Sequence, residues 1–219
     1  MNLIRDVFAA IAPTPADLGV RRGPRRSLFV PGERGDTILI GPQSMPTGVP
    51  AKAEFMVNIS RHLVPWTACR HDISLDEARS RPLAYAEGVY HARLRWPRGN
   101  PAELWTVTPD TLAAVADDLS AEIRRELTTV WLPILPRAEL RALVRDRGRK
   151  GPSHLSDPLT VDLMCRIEDL SPDDLQGLVR FFRSRADHDP DMGRLAGWIE
   201  RTFLTGRSGR SVLGGVQLS

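Results

Sequence analysis

Lysine is almost missing from this chain. Of its 30 basic residues only Lys52 and Lys150 are lysine, and the rest are arginine. The excess is spread along the whole length, so it reads as genomic composition; chemistry that needs bidentate anion contacts would place arginine locally. Cysteine is scarce too. Two residues, Cys69 and Cys165, cannot frame a disulfide scaffold, and without a secretory signal they read as reduced thiols. No run approaches eighteen consecutive apolar residues, which excludes a membrane-spanning helix. A net charge of +3 excludes a strongly basic nucleic-acid protein by bulk charge. What is present is 219 residues with 42% hydrophobic content. That is enough to bury a core without staples, as one domain with an appendage or as two small ones.

At the N-terminus Leu3, Ile4, Val7, Phe8 and Ile11 fall at helical spacing. Arg5 and Asp6 interrupt the apolar run, so it is not read as a signal peptide, and the expected compartment is the cytoplasm. A basic turn over Arg21–Arg26 leads into a strand over 27–30, and a turn at 31–36 leads into a second over 37–40; together they predict an antiparallel hairpin. Residues 41–51, rich in Pro and Gly, read as a loop. From Lys52 to Ser60 the alternation is clean: Phe55, Val57 and Ile59 point one way, Met56, Asn58 and Ser60 the other. Ser74 and Glu77 have capping-box spacing and start a short helix in an otherwise irregular segment. Residues 89–96 alternate again, with His91, Arg93 and Arg95 on the polar side, and a last short strand covers 104–107.

From Thr108 the pattern turns helical. Thr108-Pro109-Asp110, Ser171-Pro172-Asp173 and Asp189-Pro190-Asp191 each place a capping residue before proline and an acidic first turn. Helices are predicted from there to near Trp131 and over 137–147, 158–168, 173–185 and 191–204. The expected fold is therefore α+β: a mostly antiparallel sheet of four or five strands backed by helices over 1–148, a helical module over 149–205, and a flexible tail over 206–219. Charge is asymmetric, net +4 over residues 1–108 and net −1 over 109–219, so a polyanion surface is expected on the sheet portion.

Several segments carry a family resemblance. Asp17-Leu18-Gly19-Val20-Arg21-Arg22, the strand Arg26–Val30, Gln43-Ser44, the strand Phe55-Met56-Val57-Asn58-Ile59, and His91–Arg95 followed by Leu104–Val107 occur in this order. The series resembles a bacterial family known as domain of unknown function 4304, over roughly the N-terminal two-thirds. Val20 stands where that family has an aromatic, and the basic residue of its Gln-basic-Ser segment is missing. The resemblance implies an α+β cytoplasmic domain and brings no catalytic residues with it.

The candidate constellations are few. His62, Cys69 and His71 are ligand types for zinc, but a fourth ligand and a Cys-x-x-Cys knuckle are lacking, so they read as incidental residues of an irregular loop. Cys69 beside His71 lacks the rest of a nucleophile motif. Lys52 precedes Glu54, the reverse of a nuclease-type acid-x-lysine strand. No catalytic residue, metal site or cofactor is predicted. The expected function is non-enzymatic: binding of another protein, as an accessory or immunity-type factor, through the polar sheet face or the C-terminal helices. The contact residues expected are His91, Arg93, Arg95 and Asn58, with Arg25 and Arg26 on the hairpin. The alternatives are nucleic-acid binding through the same basic sheet face and hairpin, and a metal-dependent enzyme using His62, Cys69 and His71.

Overall fold

The computed structural model describes residues 2–11, 15–49, 51–94, 104–146 and 154–205. In chain order the elements are α1 (Leu3–Ile11), β1 (Arg21–Arg22), β2 (Leu28–Pro31), β3 (Thr37–Met45), β4 (Ala53–His62), α2 (Val64–His71), α3 (Leu75–Ser80), β5 (Tyr90–Leu94), β6 (Trp105–Val107), α4 (Leu112–Glu126), α5 (Arg137–Arg145), β7 (His154–Leu155), α6 (Pro158–Arg166), α7 (Pro172–Arg183) and α8 (Pro190–Ile199). The fold is α+β, with one seven-stranded antiparallel sheet in the order β1-β2-β3-β4-β5-β7 and β6 paired to β4.

Register explains the main core face. Leu28 pairs with Ile40 and Ile40 with Ile59, while Val57 pairs with Leu94 and Phe55 with Trp105. All of these side chains are buried on one side of the sheet. The apolar stripe of α1 packs onto that side, with Phe8 edge-on to Phe55 at 6.3 Å between ring centroids. The longest helix, α4, lies alongside α1 and against β5 and β6. Its last turn widens at Leu127–Trp131, which buries Trp131 against Tyr90 at 5.5 Å. Pro133 stops any further helix.

Three segments differ from the sequence reading. β3 runs on through Pro42 to Met45 instead of ending in a loop at Gly41, because β4 is long enough to pair with it as far as Glu54. Pro42 is admissible there because β2 stops at the partner of Ile40, leaving this part of β3 an edge. The stretch from His62 to His71 is largely helical, with Pro65 in the first turn of α2. The first long C-terminal helix is entered at Thr111, three residues after the expected cap at Thr108. Elsewhere the capping grammar holds: Ser74 and Glu77 form a reciprocal capping box, and Asp157, Ser171 and Asp189 each accept from a backbone N–H in the first turn of their helices.

The C-terminal helices are tied to the sheet at two places. β7 extends the sheet beside β5. A buried ion network also joins four distant segments. The Asp36 carboxylate accepts from Arg137 at 2.7 and 2.9 Å, from Arg61 at 3.2 Å and from the Val64 backbone N–H at 2.9 Å. Arg137 also donates to Glu168 at 2.5 Å, and Arg61 donates to the carbonyls of His62 and Leu135 at 2.6 Å each. Burial works against the Arg137 charge, but the Asp36 hydrogen bonds and charge, joined by Glu168, hold its pKa above the ordinary range. Asp36, joined by Glu168 at Arg137, thereby offsets two guanidiniums that are almost wholly buried.

Candidate functional site

The polar face of the sheet is closed. Asn58, Ser60 and His62 project from the central strand β4 on the side opposite the main core, and all three are buried. The chain between α3 and β5 crosses over them. Tyr85 donates its hydroxyl to Gln43 Oε1 at 3.1 Å, and Asn58 Nδ2 donates to the same oxygen at 3.3 Å. Gly88 sits so close that a Cβ there would lie 2.9 Å from both Ser60 Cβ and the Arg61 carbonyl. Asn58 is therefore not a surface contact residue, which corrects the sequence reading. Alternation separated the two faces of the strand, but a covering loop leaves no period in the sequence.

The remaining expected contacts are spread over β5 and the turn before β2. His91 is half-buried on β5 and Arg93 is exposed beside it; Arg95 and the side chain of Arg25 lie outside the described residues. Arg26 is exposed, with a left-handed φ of 68° at the end of a 3-10 turn. Three strand spacings separate β2 from β5, about 14 Å across the sheet. Arg26 and Arg93 thus stand on opposite sides of the two central strands, β3 and β4. Arg22 is spent on the Ala9 carbonyl at 2.8 Å, and Arg34 on Asp169 at 2.8 Å.

The residues proposed for metal or thiol chemistry are also dispersed. His62 is buried on β4 with its Nε2 2.9 Å from Ser60 Oγ. Burial, reinforced by the neighbouring Arg61 charge, pushes its pKa down to about 3, so the imidazole is neutral. This Ser–His pair is sealed from any substrate by its burial. Cys69 lies on α2, where burial and then Asp72 raise its pKa to about 11, leaving a thiol at neutral pH. His71 Nε2 is 3.2 Å from Glu87 Oε1, close but without hydrogen-bond alignment. Among the described residues no group of three or more His, Cys, Asp or Glu gathers to hold a metal ion.

A concave feature with the dimensions of a binding site lies among the helices. A cleft of about 850 Å³ opens between α2, the N-terminal turn of α6 and α8. Its apolar floor comes from Trp66, Met164, Met192 and Leu195. Trp66 is held in place by donating its indole N–H to the Glu87 carbonyl at 2.9 Å, and α8 is anchored by Trp198, which donates to the Ile73 carbonyl at 3.2 Å. The rim carries charges that largely cancel within the chain: Arg201 pairs with Asp72, and Arg194 with Asp191. Asp157 caps α6 through the Thr160 N–H.

Sequence reasoning missed this cleft, apart from Cys69 and His71 on its wall. The other lining residues come from α2 on one side and from α6 and α8 on the other, more than eighty positions later in the chain, and each helix reads as ordinary amphipathic structure. The available hint was Trp66 and Arg70, one helical turn apart on the same side of α2. No helix among the described residues is long and apolar enough to cross a membrane. Compared with protein families, with curated proteins and with solved structures, the chain gives no significant match.

Proposed function

We propose that this chain is a cytoplasmic binding protein without catalytic chemistry, and that the cleft between α2, α6 and α8 receives an apolar side chain of a partner protein. The observation that carries the reading is the cleft itself: an apolar floor inside a rim of three arginines and three aspartates whose charges balance. An anchor side chain seated on a dry floor inside a polar rim is the usual anatomy of a protein interface. Because the rim arginines and aspartates neutralise one another, apolar burial rather than net charge would supply the affinity. The sealed Ser60–His62 pair and the protonated Cys69 argue against nucleophilic catalysis. An accessory role fits such a surface, and the family resemblance adds no activity to it.

The test places a photo-crosslinking residue at Met192 in the native host, with a second at exposed Phe181 on α7 as a control. A single stoichiometric protein adduct from position 192, absent from 181 and lost on Trp66→Ala, supports the reading. A small molecule retained in the cleft by the purified protein, detected by native mass spectrometry and lost on Met192→Glu, would replace it with ligand binding. Equal labelling from both positions would remove it.

A further inference from the structure

Several arginines among the described residues are spent on carboxylates in balanced proportion. Arg61, Arg79 and Arg137 share Asp36, Asp76 and Glu168, and Arg124 and Arg125 face Asp17, Glu122 and Glu126. Asp162 on α6 departs from this balance. Arg145 Nε lies 2.8 Å from its Oδ1 and Arg141 Nε 3.1 Å from the same oxygen, while Arg166 Nε is 3.4 Å from Oδ2. Three guanidiniums thus surround one carboxylate. These contacts, together with burial that opposes them, hold the Asp162 carboxyl below the usual range, so it stays ionised.

The geometry has a chemical consequence. Arg141 turns its Nε to Asp162, and Arg145 its Nε and one terminal nitrogen at 3.2 Å. A guanidinium has five N–H donors, so most of the outward fork of each remains available for a second anion. Asp162 orients the forks and offsets only one of three charges. On its far side Arg166 borders a groove with Asp173 and Asp174, so a ligand would approach from the α5 side, where Arg145 is exposed.

We propose that the α5–α6 face, with Arg141, Arg145 and Arg166 gathered round Asp162, binds the phosphate backbone of a nucleic acid. Repeated cations beside a preoriented fork match a regularly spaced polyanion. The surface is separate from the cleft and lies in the half of the chain whose net charge is −1, not on the sheet portion.

Fluorescence anisotropy with a labelled 20-nucleotide single strand and a 20-base-pair duplex, between 25 and 150 mM NaCl, tests this. Affinity is expected to fall linearly in log–log form with salt. Arg141→Gln with Arg145→Gln should weaken binding at least tenfold and flatten the slope by about 1.4 for the single strand or about 1.8 for the duplex. Arg21→Gln with Arg26→Gln should leave binding unchanged, as should Met192→Glu in the cleft. Circular dichroism confirms that these surface variants stay folded. No binding at 25 mM NaCl, binding unaffected by the α5 variant, or loss on the hairpin variant would overturn the proposal. Equal competition by polyglutamate would also overturn it, in favour of an acidic protein.

Discussion

His62 should make this protein sensitive to acid, and the size of the effect follows from its surroundings. The imidazole is buried against Ser60 and next to Arg61, and its pKa is pushed from the ordinary 6.5 to about 3. Folding therefore favours the neutral ring. Above pH 6.5 both folded and unfolded chains hold it neutral, and the stability it allows is fully present. As pH falls below 6.5 the unfolded chain takes up a proton that the folded chain refuses, and stability drains away until the folded ring titrates near pH 3. Each pH unit in that window is worth about 1.4 kcal/mol. Across the whole window the loss is about 5 kcal/mol, comparable with the total stability of an ordinary domain. The assay is urea unfolding of wild type and His62→Gln at pH 7, 6, 5 and 4. The variant loses packing at every pH, but the difference between the two curves isolates the ring. Wild type should lose about 2.5 kcal/mol more than the variant between pH 6 and pH 4. Parallel curves, or a His62 NMR signal titrating near 6.5, would refute the reasoning.

Two further outcomes follow from buried groups. Asp36→Ala leaves the buried Arg61 guanidinium on backbone carbonyls alone and Arg137 on Glu168 alone, and should cost about 3–5 kcal/mol in denaturant midpoint analysis; a loss below about 1 kcal/mol would mean that water reaches the network. Cys69, with its pKa near 11 against an ordinary 9.0, should carry about a hundredfold less thiolate at pH 7 than a free cysteine. Iodoacetamide labelling followed by mass spectrometry should be correspondingly slow, and labelling at the rate of free cysteine would show an activated thiol instead.

Much of the architecture was legible from local pattern. The alternation over Lys52–Ser60 marks β4, and three of the four polar side chains seen to cap a helix start stand directly before a proline. These signals depend on neighbours one to four residues apart, which is the range over which sequence periodicity speaks. The helix at Val64–His71 was illegible because Pro65, Trp66 and Thr67 weaken its pattern, and it is held by Asp36 capping the Val64 N–H from 28 residues away. The tail over 206–219 and Arg95 lie outside the described residues.

The site was less legible than the fold. Sequence alone determined that Asn58 and Ser60 face away from Phe55 and Val57, since a strand turns each successive side chain over. Whether that second face meets water was decided only when the chain after α3 folded back and set Tyr85 against Gln43 and Gly88 against Ser60. In the same way, sequence put many arginines in the chain but not their charge balance. Tertiary structure spends Arg61 and Arg137 on one buried carboxylate and leaves three guanidiniums around Asp162, because ion pairing depends on distance in space. The cleft follows the same logic: α2 and α8 are each ordinary amphipathic helices, and a concave surface exists only where their packing leaves them apart.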